Sequence, residues 1–215
     1  MHIYAFGSVC RGDISPDSDI DLLAVVQGHD SRFNPEDYSI YSYGRVMEIW
    51  EEGNPFAWHL ALESRLLYSS DQSNFLASLG NPQPYGKVRQ DCEKFYALFQ
   101  EASASFASRN QTKIFDLSMV FLAIRNFATC FSLGFLDKPD FSRNSATRLG
   151  TYSLRLPNDV YKILERARIL CTRAVGRTIT DEECSIASTQ FPQIEEWMSE
   201  ILTEISDHEA RARIQ

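Results

Sequence analysis

The sequence predicts a small mixed-sheet α/β (α+β) domain over residues 1–80, followed by an all-α helical bundle over residues 87–215. Three short β-prone runs occur in the first 50 positions, and there is little strand signal from about Lys87 onward. A linker rich in proline and glycine, "SLGNPQPYG", follows. After it come long amphipathic segments without a strand pattern. The chain of 215 residues is 44% hydrophobic and 23% charged, which is typical of a globular protein.

Three runs in the first domain predict strands, over residues 2–6, 20–26 and 38–50. Asn54 and Pro55 have the residue types that favour a helix N-cap and first helical position. They predict a helix over residues 56–68. Together these elements predict a sheet covered by at least one helix.

The second domain is predicted to contain helices over residues 87–108, 112–135, 157–176 and 181–207. The most apolar stretch, residues 114–136, is interrupted by Asp116, Arg125 and Asn126. We therefore expect a buried core helix there and no membrane partner, because a spanning helix needs about 20 mostly apolar residues.

Charge is distributed unevenly along the chain: residues 1–85 are acidic, 86–177 basic and 178–215 acidic. This pattern suits a cleft with metal on one wall and phosphate on the other, although solvated helix faces would give the same pattern. The five cysteines are scattered and lack metal-binding spacing, and the N-terminus has no secretory signal pattern. These features predict reduced thiols and a cytoplasmic location.

The stretch from Gly7 to Asp21 carries the main functional motif. Gly7 lacks a Cβ atom, so a ligand can approach its backbone closely. Ser8 is predicted to cap a short helix whose free N–H groups face an anion. Asp19 and Asp21 lie two positions apart at the start of the second strand, which places both carboxylates on one sheet face. Such a pair is a platform for Mg²⁺, which prefers oxygen ligands.

The motif "GSVCRGDISPDSDIDLLAVV" resembles the signature of the DNA polymerase β-like nucleotidyltransferase superfamily, notably its minimal and antibiotic nucleotidyltransferases. The resemblance implies that Gly7 and Ser8 contact the β- and γ-phosphates of a nucleoside triphosphate, with ATP the first candidate. It implies that Asp19 and Asp21 hold two Mg²⁺ ions. It also implies a third carboxylate on the next long strand. The similarity extends through "HLALESRLLYSSD" to about residue 70.

Glu48 is the predicted third carboxylate. On a strand it would lie between Met47 and Ile49, which would point into the core. An acidic side chain in an apolar strand is costly without a cation or hydrogen-bond partner. By the resemblance, Glu48 would complete the catalytic metal site and act as general base toward the acceptor hydroxyl.

Three further charged or titratable residues, Arg11, His59 and Arg125, bear on the interpretation of the site. Arg11, one helical turn past Ser8, either contacts phosphate or is a surface residue. His59 is expected to pack against the core.

The bundle weakly resembles helical domains that include ribonuclease toxins marked by Arg and His, but the histidine after Arg125 is missing, so we expect no ribonuclease activity. Arg125 is expected to pair with an acid or to reach the triphosphate.

The predicted activity is Mg²⁺-dependent transfer of a nucleoside monophosphate to an acceptor hydroxyl, with release of pyrophosphate. A small-molecule antibiotic, a protein and an RNA remain open as acceptors, and so does a homodimer. The alternative is a non-catalytic nucleotide-binding or antitoxin-like partner-binding protein. One departure from the family pattern favours this alternative. Small members usually carry a helix before the first strand, whereas this sequence begins almost on that strand.

Overall fold

The computed structural model describes residues 1–13, 20–108 and 112–212. The chain divides into two compact units, Met1–Gly86 and Lys87–Gln215. The first contains a four-stranded mixed sheet and the second is helical, so the predicted fold class is confirmed. All five cysteines are free thiols.

The sheet of the first unit has the strand order β3-β2-β1-β4. Its strands are β1 (His2–Phe6), β2 (Asp21–Val26), β3 (Tyr38–Ser42) and β4 (Ser64–Ser69). Strand β1 runs antiparallel to both β2 and β4, whereas β2 and β3 are parallel. The register pairs Phe6 with Asp21 and Leu22 with Tyr38. The end of β1 and the starts of β2 and β3 therefore meet at one edge of the sheet.

Helices α2 (Tyr43–Glu51), α3 (Pro55–Glu63) and α4 (Phe75–Ser78) cover one face of this sheet. The short helix α1 (Ser8–Arg11) follows β1 and has no buried residue. Leu23 and Val25 of β2 pack against buried side chains of α2, α3 and α4. Ala24 and Val26 point to the opposite face, where Phe33 covers them. This alternation fixes the register of β2, since a shift by one residue would reverse the two faces.

The predicted third strand, over residues 38–50, is wrong beyond Ser42. The Ser42 side chain accepts a hydrogen bond of 3.1 Å from the Arg45 backbone N–H and caps α2. Val46, Ile49 and Trp50 are buried on one face of that helix. Their spacing of three and four positions is typical of a helix, and it determines the local structure here.

The predicted helix over residues 56–68 is also too long. Asn54 caps α3 as expected, its side chain accepting from the Phe56 N–H at 2.8 Å. The helix ends at Glu63, however, and the following residues form β4 against β1. Pairing with β1 satisfies backbone groups that would otherwise lie at an open sheet edge.

The second unit is built around one apolar helix. Its helices are α5 (Val88–Ala107), α6 (Lys113–Phe135), α7 (Asn158–Arg173), α8 (Asp181–Ser188) and α9 (Phe191–Ala212), with 3₁₀ turns at Ser145–Thr147 and Gly150–Tyr152. The predicted helix over residues 181–207 is interrupted between α8 and α9. Helix α6 is long and apolar enough to cross a membrane, but 67% of its most apolar window is buried in the protein. Phe127 and Phe131 are fully buried on α6, as expected of a core helix.

Helix α8 begins with a reciprocal cap formed by Thr180 and Glu183. The Glu183 carboxylate accepts from the Thr180 N–H at 3.0 Å and lies 2.6 Å from the Arg166 guanidinium. The Thr180 N–H and then Arg166, against a small opposing desolvation effect, lower the pKa of Glu183 to about 2. Because the carboxylate is stabilised only in the folded state, its contribution to stability is present above the unfolded pKa and is lost on acidification.

We expect Glu183→Gln to lower the free energy of unfolding by ~1 kcal/mol at pH 7, because glutamine can keep the reciprocal cap but loses the negative charge that the helix N-terminus and Arg166 favour. The difference from the wild type should shrink as the pH falls from about 4.5 toward 2, where Glu183 takes up its proton in both states. Urea unfolding at pH 7, 5 and 3 measures it. Glu182→Gln is the matched control, because Glu182 is an exposed neighbour in the same helical turn. Equal losses in the two variants at pH 7 would contradict the prediction.

Candidate active site at the edge of the sheet

The turn between β1 and α1 is formed by Gly7. This residue has φ +77°, a backbone conformation that favours glycine. The Gly7 carbonyl accepts from the backbone N–H groups of Cys10 and Arg11 at 3.1 and 3.2 Å, so Gly7 caps the helix. The predicted N-cap role of Ser8 is wrong, because the turn at Gly7 makes Ser8 the first helical residue.

Asp21 lies directly beside this turn. It is paired with Phe6 across β1 and β2. A Cβ atom placed on Gly7 would lie only 2.5 Å from Oδ2 of Asp21. Glycine is therefore required at position 7 both by the backbone conformation and by the carboxylate packed against it. The structure places Asp21 beside Gly7, which Ser8 follows in the chain. Asp19 lies outside the residues that the structure describes.

Glu48 does not lie on a strand. It belongs to α2, its side chain is 62% exposed, and it pairs with Arg45 at 3.0 Å. Met47, expected in the core, is also exposed. The argument for a buried acid in an apolar strand therefore fails, because the helical periodicity turns Glu48 toward solvent.

Asp37 is a carboxylate that the sequence analysis missed. The parallel register of β2 and β3 pairs Leu22 with Tyr38, so Asp37 stands one position before the strand, beside Asp21. Asp37 is the last residue of the turn that leads into β3, so continuing the register by one position brings its backbone next to Asp21. Its N–H donates to the Asn34 carbonyl at 3.0 Å. The signal that could have found it is the short third strand, with an acid just before it.

The other end of α1 is held by Glu63, the last residue of α3. The Arg11 guanidinium donates to the Glu63 carboxylate and to Asp13, the latter at 3.2 Å. His59 Nε2 lies 2.9 Å from Oε2 of Glu63, and its ring packs edge-to-face on Phe6. Arg11 therefore has ion-pair partners near the predicted phosphate site, and His59 packs against the core as expected.

Arg125 belongs to the helical unit. Its guanidinium donates to the carbonyl oxygens of Phe141 and Ser142, at 3.0 and 3.4 Å. The Ser145 hydroxyl donates to the Arg125 carbonyl at 3.0 Å. These bonds fasten the connection between α6 and α7. They give Arg125 a structural role within the helical unit.

The donors at the sheet edge fit a divalent cation. Asp21 and Asp37 supply carboxylate oxygens, the ligands that Mg²⁺ prefers. The missing side chain at Gly7 leaves the space that the Asp21 carboxylate occupies. Within residues 1–13, 20–108 and 112–212, no group of three His, Cys, Asp or Glu side chains is arranged to hold a metal, and Asp19 lies outside these ranges.

A comparison with protein families gives the fold a functional assignment. Residues 2–74 match the family model described as "Nucleotidyltransferase domain". The first unit is a nucleotidyltransferase domain. The match includes Gly7, Ser8, Asp21, Asp37 and Glu63, and it confirms the resemblance to the polymerase β-like superfamily. It ends before the helical unit begins. A search of curated proteins finds no significant match to the chain.

The nucleotidyltransferase domain supports a general activity, the transfer of a nucleotidyl group from a nucleoside triphosphate to an acceptor. The match over residues 2–74 supports a transferase activity for this domain.

Proposed function

We propose that the protein is a Mg²⁺-dependent nucleotidyltransferase that transfers a nucleoside monophosphate to an acceptor hydroxyl and releases pyrophosphate. One observation carries this proposal. The Gly7 turn and the Asp21 carboxylate are packed together within the matched domain, which supports a site where the backbone would bind phosphate and the carboxylate would bind a cation. ATP is the first triphosphate to test.

The phosphates would bind along the backbone of Gly7 and Ser8. Gly7 presents no side chain, and the first N–H groups of α1 have no acceptor within the helix itself. Negative charge is favoured at such a position. The Asp21 carboxylate lies against the Gly7 turn, in the space that a Cβ atom would take. A complex of triphosphate and metal needs both anion-binding backbone groups and a carboxylate for the cation close together.

Asp19, Asp21 and a third carboxylate would hold two Mg²⁺ ions. When bound, Mg²⁺ neutralises charge on the phosphates and the carboxylates and favours ionisation of the acceptor hydroxyl. We assign the third position to Asp37, because the register of β2 and β3 brings its backbone next to Asp21, whereas Glu48 lies on α2 and pairs with Arg45. A carboxylate of this group would take the proton of the acceptor hydroxyl.

The chemical step is a single displacement at phosphorus. The acceptor oxygen forms a bond to the α-phosphorus, and the bond from this phosphorus to the bridging α–β oxygen breaks. Pyrophosphate leaves with that electron pair, and the acceptor proton passes to the carboxylate. The Gly7 and Ser8 backbone would hold the β- and γ-phosphates in line for this displacement.

The test is transfer of label from each α-labelled nucleoside triphosphate into the protein, RNA and small-molecule fractions of a bacterial lysate. We expect label in one fraction, which names the acceptor class, and no label after chelation of Mg²⁺. An Asp19→Asn/Asp21→Asn double variant is the inactive reference. Mg²⁺-dependent binding of nucleotide without any transfer would overturn the proposal and favour the nucleotide-binding alternative.

The oligomeric state and the cytoplasmic location belong to the same proposal. A homodimer would be detected by sedimentation of the purified chain at several concentrations. The cytoplasmic location is tested by fractionating cells that express it.

A further inference from the structure

Glu63 contacts the α1 segment at both of its ends. Its backbone carbonyl accepts from the Gly7 N–H at 3.3 Å, at the start of the segment. Its carboxylate accepts from the guanidinium of Arg11, the last residue of α1. One residue at the end of α3 therefore spans the segment that carries Gly7 and Ser8.

The segment needs such support because it is short. Helix α1 has four residues. A single helical turn is unstable alone, since fixing its backbone costs more entropy than its hydrogen bonds return. Its conformation must be imposed by contacts with the rest of the domain. The contact through Arg11 connects α1 to a residue 52 positions away.

The ion pair is well shielded from solvent. The side chains of Arg11 and Glu63 are 18% and 14% exposed. His59 lies against the same carboxylate at 2.9 Å, and Asp13 pairs with the outer side of Arg11. A shielded pair is screened by salt much less than an exposed one, so it can hold a fixed geometry.

We propose that Glu63 is a positioning residue, which fixes the Gly7–Ser8 backbone in the geometry that binds the triphosphate. This inference rests on the proposed function. Glu63 does not touch the nucleotide in this scheme, and Arg11 acts through Glu63 and makes no phosphate contact. The arrangement assigns a role to Glu63, which the motif around Asp19 and Asp21 does not include.

The principal variant is Glu63→Gln, which keeps the size of the side chain and removes its charge. We expect the KM for the nucleoside triphosphate to rise by about tenfold or more, because small displacements of positioning groups carry large kinetic costs. The KM for the acceptor should stay unchanged. Hydrogen exchange of the backbone amides of residues 7–12 should accelerate. Glu51→Gln is the matched control, since Glu51 is exposed on α2.

A double-mutant cycle with Arg11→Gln separates the two roles open to Arg11. If Arg11 acts through Glu63, the double variant loses no more of kcat/KM than either single variant. Additive losses would show that Arg11 meets the phosphate independently and would overturn the inference. An unchanged KM for the triphosphate in Glu63→Gln would overturn it as well.

The exchange measurement keeps this inference distinguishable from the proposed function. If the wild type transfers no label, the proposed function fails. Faster exchange in Glu63→Gln that is confined to residues 7–12 would still show that Glu63 stabilises the conformation of this segment. Unchanged exchange in Glu63→Gln would contradict that stabilisation, whether or not the wild type is active. Urea unfolding identifies a general loss of stability, which would accelerate exchange throughout the first unit.

Discussion

Gly7→Ala is expected to lower the rate of nucleotidyl transfer by about 100-fold or more, because displacement of a reacting group by about 1 Å costs this much. The added Cβ would lie 2.5 Å from Oδ2 of Asp21, so the carboxylate must move. The carboxylate is the end of a side chain and can move without unfolding the sheet. The main loss should therefore appear in catalysis. The measurement is kcat/KM for the triphosphate together with urea unfolding.

The control must reproduce the backbone strain without the collision. Gly7 has φ +77° and ψ −142°, outside the left-handed helical region, and alanine in such a sparsely populated conformation costs on the order of 1–3 kcal/mol of stability. Gly28 has φ +87° with nothing within 4 Å of a Cβ atom, and it follows the far end of β2. Gly28→Ala should lose comparable stability and keep its activity. If Gly7→Ala stays within a few-fold of Gly28→Ala in kcat/KM, the position of Asp21 against Gly7 is not what the reaction requires.

The sequence predicted the parts of the fold that depend on local spacing. The Gly7–Ser8 turn and the start of β2 at Asp21 are recognisable because strand, turn and carboxylate occur within twenty positions, from His2 to Asp21. The division into a mixed sheet and a helical region is visible for the same reason. Strand β4 was missed because "HLALESRLLY" contains no glycine or proline to mark the end of α3, and its strand conformation depends on pairing with β1, about 60 residues earlier.

The site was harder to predict than the fold, because two of its features depend on contacts between distant residues. Asp37 meets Asp21 only through the parallel register of β2 and β3. Arg11 meets Glu63 across 52 positions. Neither spacing leaves a periodic signal in one sequence. Glu48 was placed on a strand because the run from Tyr38 to Trp50 alternates partly, although the Ser42 cap marks a helix start.

Asp37→Asn is expected to reduce kcat by about 100-fold, in the range found when one electrostatic group of an active site is removed. Half-maximal activity should also require more Mg²⁺. The variant keeps the shape of the side chain and an oxygen that can accept from the Asn34 side chain, at 3.4 Å in the wild type. It changes mainly the charge beside Asp21. Titration of activity against Mg²⁺ measures both effects.

Glu48→Gln is the comparison that decides between the two carboxylates. Its side chain is 62% exposed and pairs with Arg45 three residues away, a contact worth less than about 1 kcal/mol at a surface. We therefore expect its kcat and Mg²⁺ requirement to match the wild type. The opposite pattern, with Glu48→Gln impaired and Asp37→Asn active, would return the third position to Glu48. Helix α2 would then have to change conformation on binding substrate, since its periodicity directs Glu48 to solvent while Val46, Ile49 and Trp50 hold the opposite face in the core.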